Sequence, residues 1–121
     1  MIMNDDFYNS EKWRKKSKRI LSLNNYVDQV QRRYGKYIQA DLIHHALPLE
    51  DFPQYAYNDY NLIPVSYNTH RSLHNPDGTL TAPGIEVARR AARKIGIDIT
   101  EYINTNKKAP HRRTDYGRYG L

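Results

Sequence analysis

The spacing of apolar and polar positions changes several times along the 121 residues, and each change marks an element. Trp13, Ile20 and Leu21 recur at one- to two-turn spacing beneath a basic face, which predicts a helix. Ser10 with Glu11 after it supplies the start, and Asn24-Asn25 the end. Residues 1–8 lie outside that helix and are expected to fray. Tyr26 to Tyr34 (YVDQVQRRY) fits neither period, and Tyr34-Gly35-Lys36 reads as a turn. Tyr37 to His45 (YIQADLIHH) is rich enough in β-branched and aromatic residues for a strand. Leu47 to Asp59 is a loop, since Pro48 and Pro53 cannot donate to a ladder and Asn58-Asp59 favours a turn. Asn61 to Val65 (NLIPV) predicts a short second strand, with Pro64 placing it at an edge. Ser66 can cap a helix from Tyr67 to about His74, which Asn75-Pro76-Asp77-Gly78 stops.

Downstream, Thr81 opens a helix with Pro83 in its first turn and Gly96 at its end. Ile85, Ala88, Ala92 and Ile95 form its apolar face, and Arg89, Arg90, Arg93 and Lys94 its basic one. Asp98 with Glu101 three residues later predicts a short last helix, Ile99 to about Asn104. From Thr105 onward (TNKKAPHRRTDYGRYGL) little can be buried, so a basic, extended tail is expected. No internal repeat is present. The fold class is α+β. Three parts are expected: 1–78 around the strands, 79–104 as a helical extension, and 105–121 as the tail.

The chemistry concentrates between Ile43 and Asn75, which hold four of the five histidines. His44 and His45 are adjacent at the end of a strand, where neighbouring side chains point to opposite faces. They therefore cannot share one task. His70 and His74 are four apart on a predicted helix, on one face and about a turn from each other. One strand histidine and two helix histidines give a three-imidazole metal site, and the other strand histidine is left beside it as a base. Asn61 lies between the two pairs. His111, in the tail, reads as an ordinary exposed histidine.

Composition narrows the classes. With zero cysteines, neither a disulfide framework nor a thiolate zinc site is possible. No apolar run approaches the ~20 residues of a membrane span, and the polar, acidic MIMNDDFYNSEKW is unlike a secretory leader. A soluble, cytoplasmic protein is expected. Eleven tyrosines against two phenylalanines point to rings that keep a polar tip at a surface. Residues 1–88 carry 10 Lys/Arg and 10 Asp/Glu, while residues 89–121 carry 9 and 3, so the net +6 belongs to the last quarter. Lys12, Arg14, Lys15, Lys16, Lys18 and Arg19 make a second cluster. Basic ends around a neutral centre fit a polyanion, because phosphate contacts carry most sequence-independent affinity.

His-His at a strand end, then NLIPV, then HRSLH on a helix resembles the HNH, or ββα-metal, nuclease family. FYNSEKWRKKSKRIL is similar to the helix that leads into small bacterial and phage members. The resemblance covers roughly residues 7–75. It implies a ββα centre in which His44, His70 and His74 hold one divalent metal and His45 is the general base on water. It also implies that Asn61 orients His45 and holds the loop. Many small members bind a structural zinc through two Cys-x-x-Cys pairs. Here those positions are Asp28 with Gln31 and Ser66 with Thr69, so no structural zinc is expected, and the tyrosines near 26, 34, 37 and 67 are candidates to replace it by packing.

The activity so implied is hydrolysis of DNA phosphodiester bonds, the DNA being double-stranded. Imidazole titrates near neutrality and suits a base, while a divalent cation stabilises the phosphate and the leaving 3′ oxygen. Nitrogen ligands favour zinc, nickel, cobalt or manganese, and availability favours magnesium or manganese. Arg71, Lys15, Lys16, Arg89 and Arg93 are the candidate phosphate contacts, Arg71 as a clamp beside a ligand. A homodimer or a phage DNA-packaging partner fits such a chain. Two other readings are a non-catalytic nucleic-acid-binding or docking module, for which metal binding discriminates, and a toxin or restriction effector with an acidic partner.

Overall fold

Two short antiparallel strands, β1 (Leu42–His45) and β2 (Leu62–Val65), form the centre of the chain. The computed structural model describes residues 4–107. In chain order they form α1 (Asn4–Tyr8), α2 (Glu11–Leu23), α3 (Gln29–Arg32), β1, β2, α4 (Tyr67–Ser72), α5 (Ala82–Ile95) and α6 (Thr100–Lys107). The architecture is the expected α+β. The register pairs Leu42 with Val65, Ile43 with Pro64, His44 with Ile63 and His45 with Leu62. Alternate side chains therefore feed different cores. Ile43 and Leu62 join Phe7, Trp13, Ile20, Leu49 and Ala56 under α1 and α2. Ile63 packs with Ala46, Leu73, Val87 and Ala91 on the opposite side.

The first helices follow capping chemistry. Ser10 Oγ accepts from Trp13 N at 3.1 Å, and Asn24 caps the far end of α2. Contrary to the expectation of fraying, residues 4–8 are helical. Five residues have no helical stability of their own, so burial must hold them: Phe7 packs on Trp13, Tyr57 and His45 at ring separations of 5.0, 5.2 and 5.7 Å. The Ser10 hydroxyl adds a 2.7 Å bond to the Phe7 carbonyl.

The predicted strand from Tyr37 shortens to Leu42–His45 because residues 38–40 have another partner. Asp28 N donates to Ile38 O and Ala40 N to Tyr26 O, which ties this segment to the turn after α2. The predicted helix through His74 ends at Ser72. Asn75 precedes a proline, which disfavours helical backbone there, and its N–H goes to Thr79 O. His74 sits instead in an isolated bridge with Leu80.

The four positions where the resembling family carries zinc-binding cysteines are joined by hydrogen bonds. Asp28 is fully buried; one carboxylate oxygen accepts from Val30 N and Gln31 N, both 2.9 Å, and the other from Ser66 N at 2.8 Å. Ser66 Oγ accepts from Thr69 N and donates to Thr69 Oγ1, and Gln31 Nε2 donates to that same oxygen. The tyrosines expected to fill this role do not: Tyr26, Tyr34, Tyr37 and Tyr67 are all exposed. A carboxylate can bind three N–H groups on two elements at once, which a phenol cannot.

Helix α5 has its Thr81 cap, Pro83 and a left-handed Gly96 end as predicted. Its inward face is rotated from the expected one, with Gly84, Val87, Ala88, Ala91 and Ala92 buried and Ile85 and Ile95 half-buried. Gly84 is needed where the helix crosses the end of α4, since a Cβ there would collide with the Leu73 carbonyl. The last helix starts at Thr100 and runs to Lys107, because Asp98 Oδ1 turns back to Thr100 N (2.9 Å). Ile99 and Ile103 then share a core with Leu47, Leu80, Ala88 and Ala92. The predicted tail beyond Lys107, with His111, lies outside the described residues.

Candidate metal centre

Three separate pieces of backbone deliver three imidazoles to one point. His44 comes from β1, His70 from α4, and His74 from the turn that follows it. Ser66 starts α4 correctly by accepting Thr69 N, so the register of His70 is set at the junction with β2. The rings pair at centroid separations of 5.2 Å (His44–His70), 5.2 Å (His44–His74) and 5.0 Å (His70–His74). Each offers a nitrogen, and the three nitrogens lie within 4.8 Å of one another. That spacing suits a single ion, given metal–imidazole bonds of about 2.0–2.1 Å.

The surroundings favour a metal over a proton. His44 is 1% exposed, and its Nε2 is buried with no hydrogen-bond partner. A buried polar atom left unpaired costs free energy unless something binds it. Burial pushes the His44 pKa well below its ordinary value, and the nearby His74, His70 and His45 push the same way. Burial, then His74, brings His70 down to about 4. His74 is lowered by burial, against a backbone hydrogen bond at Gly78. All three are neutral at physiological pH, the form that coordinates a cation. Among the described residues, the donor set thus fits a divalent ion held by three imidazole nitrogens.

His45 points to the other face of β1. Its ring stacks on Trp13 (4.9 Å, 24°) and meets Phe7 and Tyr8 edge-on. Nε2 is 3.0 Å from the Ala56 carbonyl and Nδ1 is 3.1 Å from the Tyr8 hydroxyl. Burial lowers its pKa as well, with the Ala56 bond opposing. Asn61 bonds the loop instead of the histidine. Its Oδ1 accepts from Leu47 N at 2.6 Å, and Nδ2 donates to Leu47 O and Tyr55 O at 3.2 and 3.1 Å. Its hold on His45 is indirect, since Tyr55 immediately precedes the Ala56 carbonyl that faces the ring.

The predicted basic contacts separate. Arg71, Lys15, Arg89 and Arg93 are exposed, and Arg71 lies 5.8 Å from the Tyr67 ring. Lys16 is bound to Asp59 at 2.5 Å, with Arg19 on the same carboxylate at 3.2 Å, which leaves Lys16 less free for a ligand than the others. The sequence reading missed Tyr8, Phe7 and the Ala56 carbonyl. A Phe-Tyr pair two residues before a helix cap was the available signal for the first two; a backbone carbonyl carries none.

No protein-family model matches this sequence, and no curated protein matches it. A solved structure does: the HNH endonuclease of the deep-sea thermophilic bacteriophage GVE2, with manganese ion. It is 24% identical, with a TM-score of 0.55, over 56% of this chain and 74% of that one. The resemblance seen in the sequence therefore holds at the level of fold, a ββα-metal arrangement in a chain without cysteine. No helix of the described residues is long and apolar enough to cross a membrane.

Proposed function

We propose that this chain is a metal-dependent endonuclease that hydrolyses DNA phosphodiester bonds. One observation carries the reading: the convergence of His44, His70 and His74 on a point where a buried His44 nitrogen has no partner. A binding module has no use for such a cluster. The GVE2 protein, similar in fold, was solved with manganese, so manganese is the first ion to try.

His44, His70 and His74 would hold the ion, which when bound would supply charge stabilisation to the phosphate and the departing 3′ oxygen. His45, neutral at working pH, takes the proton of the attacking water. The Ala56 carbonyl fixes its tautomer, and the Trp13 face supports the imidazolium that results. Asn61 keeps the 55–56 segment in place. Arg71 clamps the phosphate, and Lys15, Arg89 and Arg93 add affinity without sequence preference. The products are a 5′ phosphate and a 3′ hydroxyl, from double-stranded DNA.

The test is plasmid relaxation with manganese and with EDTA, beside metal titration by calorimetry. Wild type is expected to bind one ion per chain and to cut only with it. His44→Ala should lose both. His45→Ala should keep the ion and lose cleavage by about 10²-fold or more, the usual worth of a general base. Cleavage by His45→Ala at the wild-type rate removes the base assignment. Absence of any divalent ion at one per chain leaves the non-catalytic binding module.

A further inference from the structure

His45 has one nitrogen to spare for chemistry, and a tyrosine holds it. The Ala56 carbonyl can only accept, so Nε2, 3.0 Å away, carries the hydrogen. In a neutral imidazole the lone pair is then on Nδ1, and the Tyr8 hydroxyl 3.1 Å away donates to it. A water that is to lose its proton to His45 must come within about 3.2 Å of that same lone pair. The phenol oxygen is already there.

We propose that the Tyr8 hydroxyl occupies the seat of the attacking water, and that Tyr8 is a gate on His45 which turns aside before DNA is cut. The inference rests on His45 being the base. The local structure is divided as a gate requires. Phe7 is 8% exposed and anchored in the core, and Ser10 binds its carbonyl through both hydroxyl and N–H. Tyr8, the last residue of α1, is 40% exposed, so its side chain can swing while the helix stays. His45 is only 5% exposed, and the Tyr8 ring covers it. Burial raises the phenol pKa to about 12, so Tyr8 keeps its proton and acts as a donor. The phenol turns aside only after DNA has bound, so the cost of opening falls on the step that follows binding, and the base stays covered until then.

Tyr8→Phe keeps the ring contacts with Phe7, Trp13 and His45 and removes only the plug. Steady-state plasmid cleavage at saturating DNA with manganese should be about five-fold faster than wild type, the scale of one net hydrogen bond. The gain should appear in kcat with KM little changed, and the melting temperature should fall by only about 4 °C, the shift that loss of one net hydrogen bond of about 1 kcal/mol produces in a domain this size. A rate equal to or below wild type overturns the gate. So does persistence of the gain in Tyr8→Phe/His45→Ala relative to His45→Ala, because the hydroxyl would then act elsewhere. A second readout needs no cleavage: in wild type, long-range 1H–15N correlation should place His45 Nδ1 upfield of a free imidazole nitrogen, and Tyr8→Phe should move it downfield. A free-nitrogen shift in wild type overturns the proposal even where the base assignment survives. If His45→Ala alone cuts at the wild-type rate, it is the base assignment that has failed.

Discussion

Replacing Asp28 by alanine should unfold the molecule at a much lower temperature, and the structure sets the size of the drop. The carboxylate accepts three N–H groups, two in the first turn of α3 and one from Ser66 where β2 passes into α4. Loss of the α3 cap costs about 1 kcal/mol. The Ser66 N–H is buried in a residue only 9% exposed, and leaving it unpaired costs about 1–3 kcal/mol. The sum, about 2–4 kcal/mol, corresponds to roughly 8–16 °C in melting temperature for a domain this size. Circular dichroism of the metal-free protein measures it. Because Ser66 caps α4, which carries His70, calorimetry with manganese should also show weaker binding, about ten-fold. Asp28→Asn, keeping one acceptor oxygen, should fall between. A melting temperature for Asp28→Ala within about 3 °C of wild type would refute the idea that this carboxylate does the work a zinc does in proteins of the resembling family, as it implies under 1 kcal/mol for the whole network.

Two further predictions concern the histidines and the loop. His44, His45, His70 and His74 all have folded pKa values below the ordinary value of 6.5, His70 at about 4. In acid the unfolded chain therefore binds more protons, and stability, full above about pH 6.5, falls as pH drops through that value toward 4. Urea unfolding with EDTA at pH 7, 6 and 5 should give a steadily lower midpoint, and a flat profile would contradict the burial argument. Asn61→Ala should lose about 2–4 kcal/mol, since it strands the Leu47 N–H and carbonyl and leaves the Tyr55 carbonyl with Asn58 N alone. It should also slow cleavage while leaving manganese affinity near wild type. A large loss of affinity with little loss of rate would place Asn61 in support of the metal instead of the loop.

The site was more legible in the sequence than the edges of the elements around it. Strand alternation alone was enough to part His44 from His45, and Ser66 and Thr81 announced two helices by their hydroxyls. Positions 28, 31, 66 and 69 were recognisable as a set through the missing thiolates, but their solution was not. Whether a buried gap is filled by rings or by a carboxylate depends on which N–H groups the fold leaves open, and only the folded chain decides that. The helix over His70 and His74 was right for His70 and wrong for His74. Four-residue spacing is a property of continuous helix; here Pro76 ends it, and the bridge to Leu80 returns His74 to the same point. Residues 4–8 were misjudged for a related reason. Their helicity is tertiary, borrowed from Phe7 in a core assembled from residues as distant as Leu62.

The same alternation makes the two halves of the proposed chemistry separable. His44 and Ile63 face α4 and α5, while His45 and Leu62 face α1 and α2, so the cation site and the base draw on different packing. Damage to Leu73 or Gly84 should therefore travel to His70 and His74 and appear as metal affinity. Damage to Phe7, Trp13 or Ala56 should travel to His45 and appear as rate. The sheet itself, two strands of four residues, is what both share. A substitution in β1 that shifted its register by one position would exchange the faces of His44 and His45 and disable both at once. That coupling explains why so short a sheet is anchored at both ends of its pairing, by Asp41 N to Val65 O and by Ala46 N to Asn61 O.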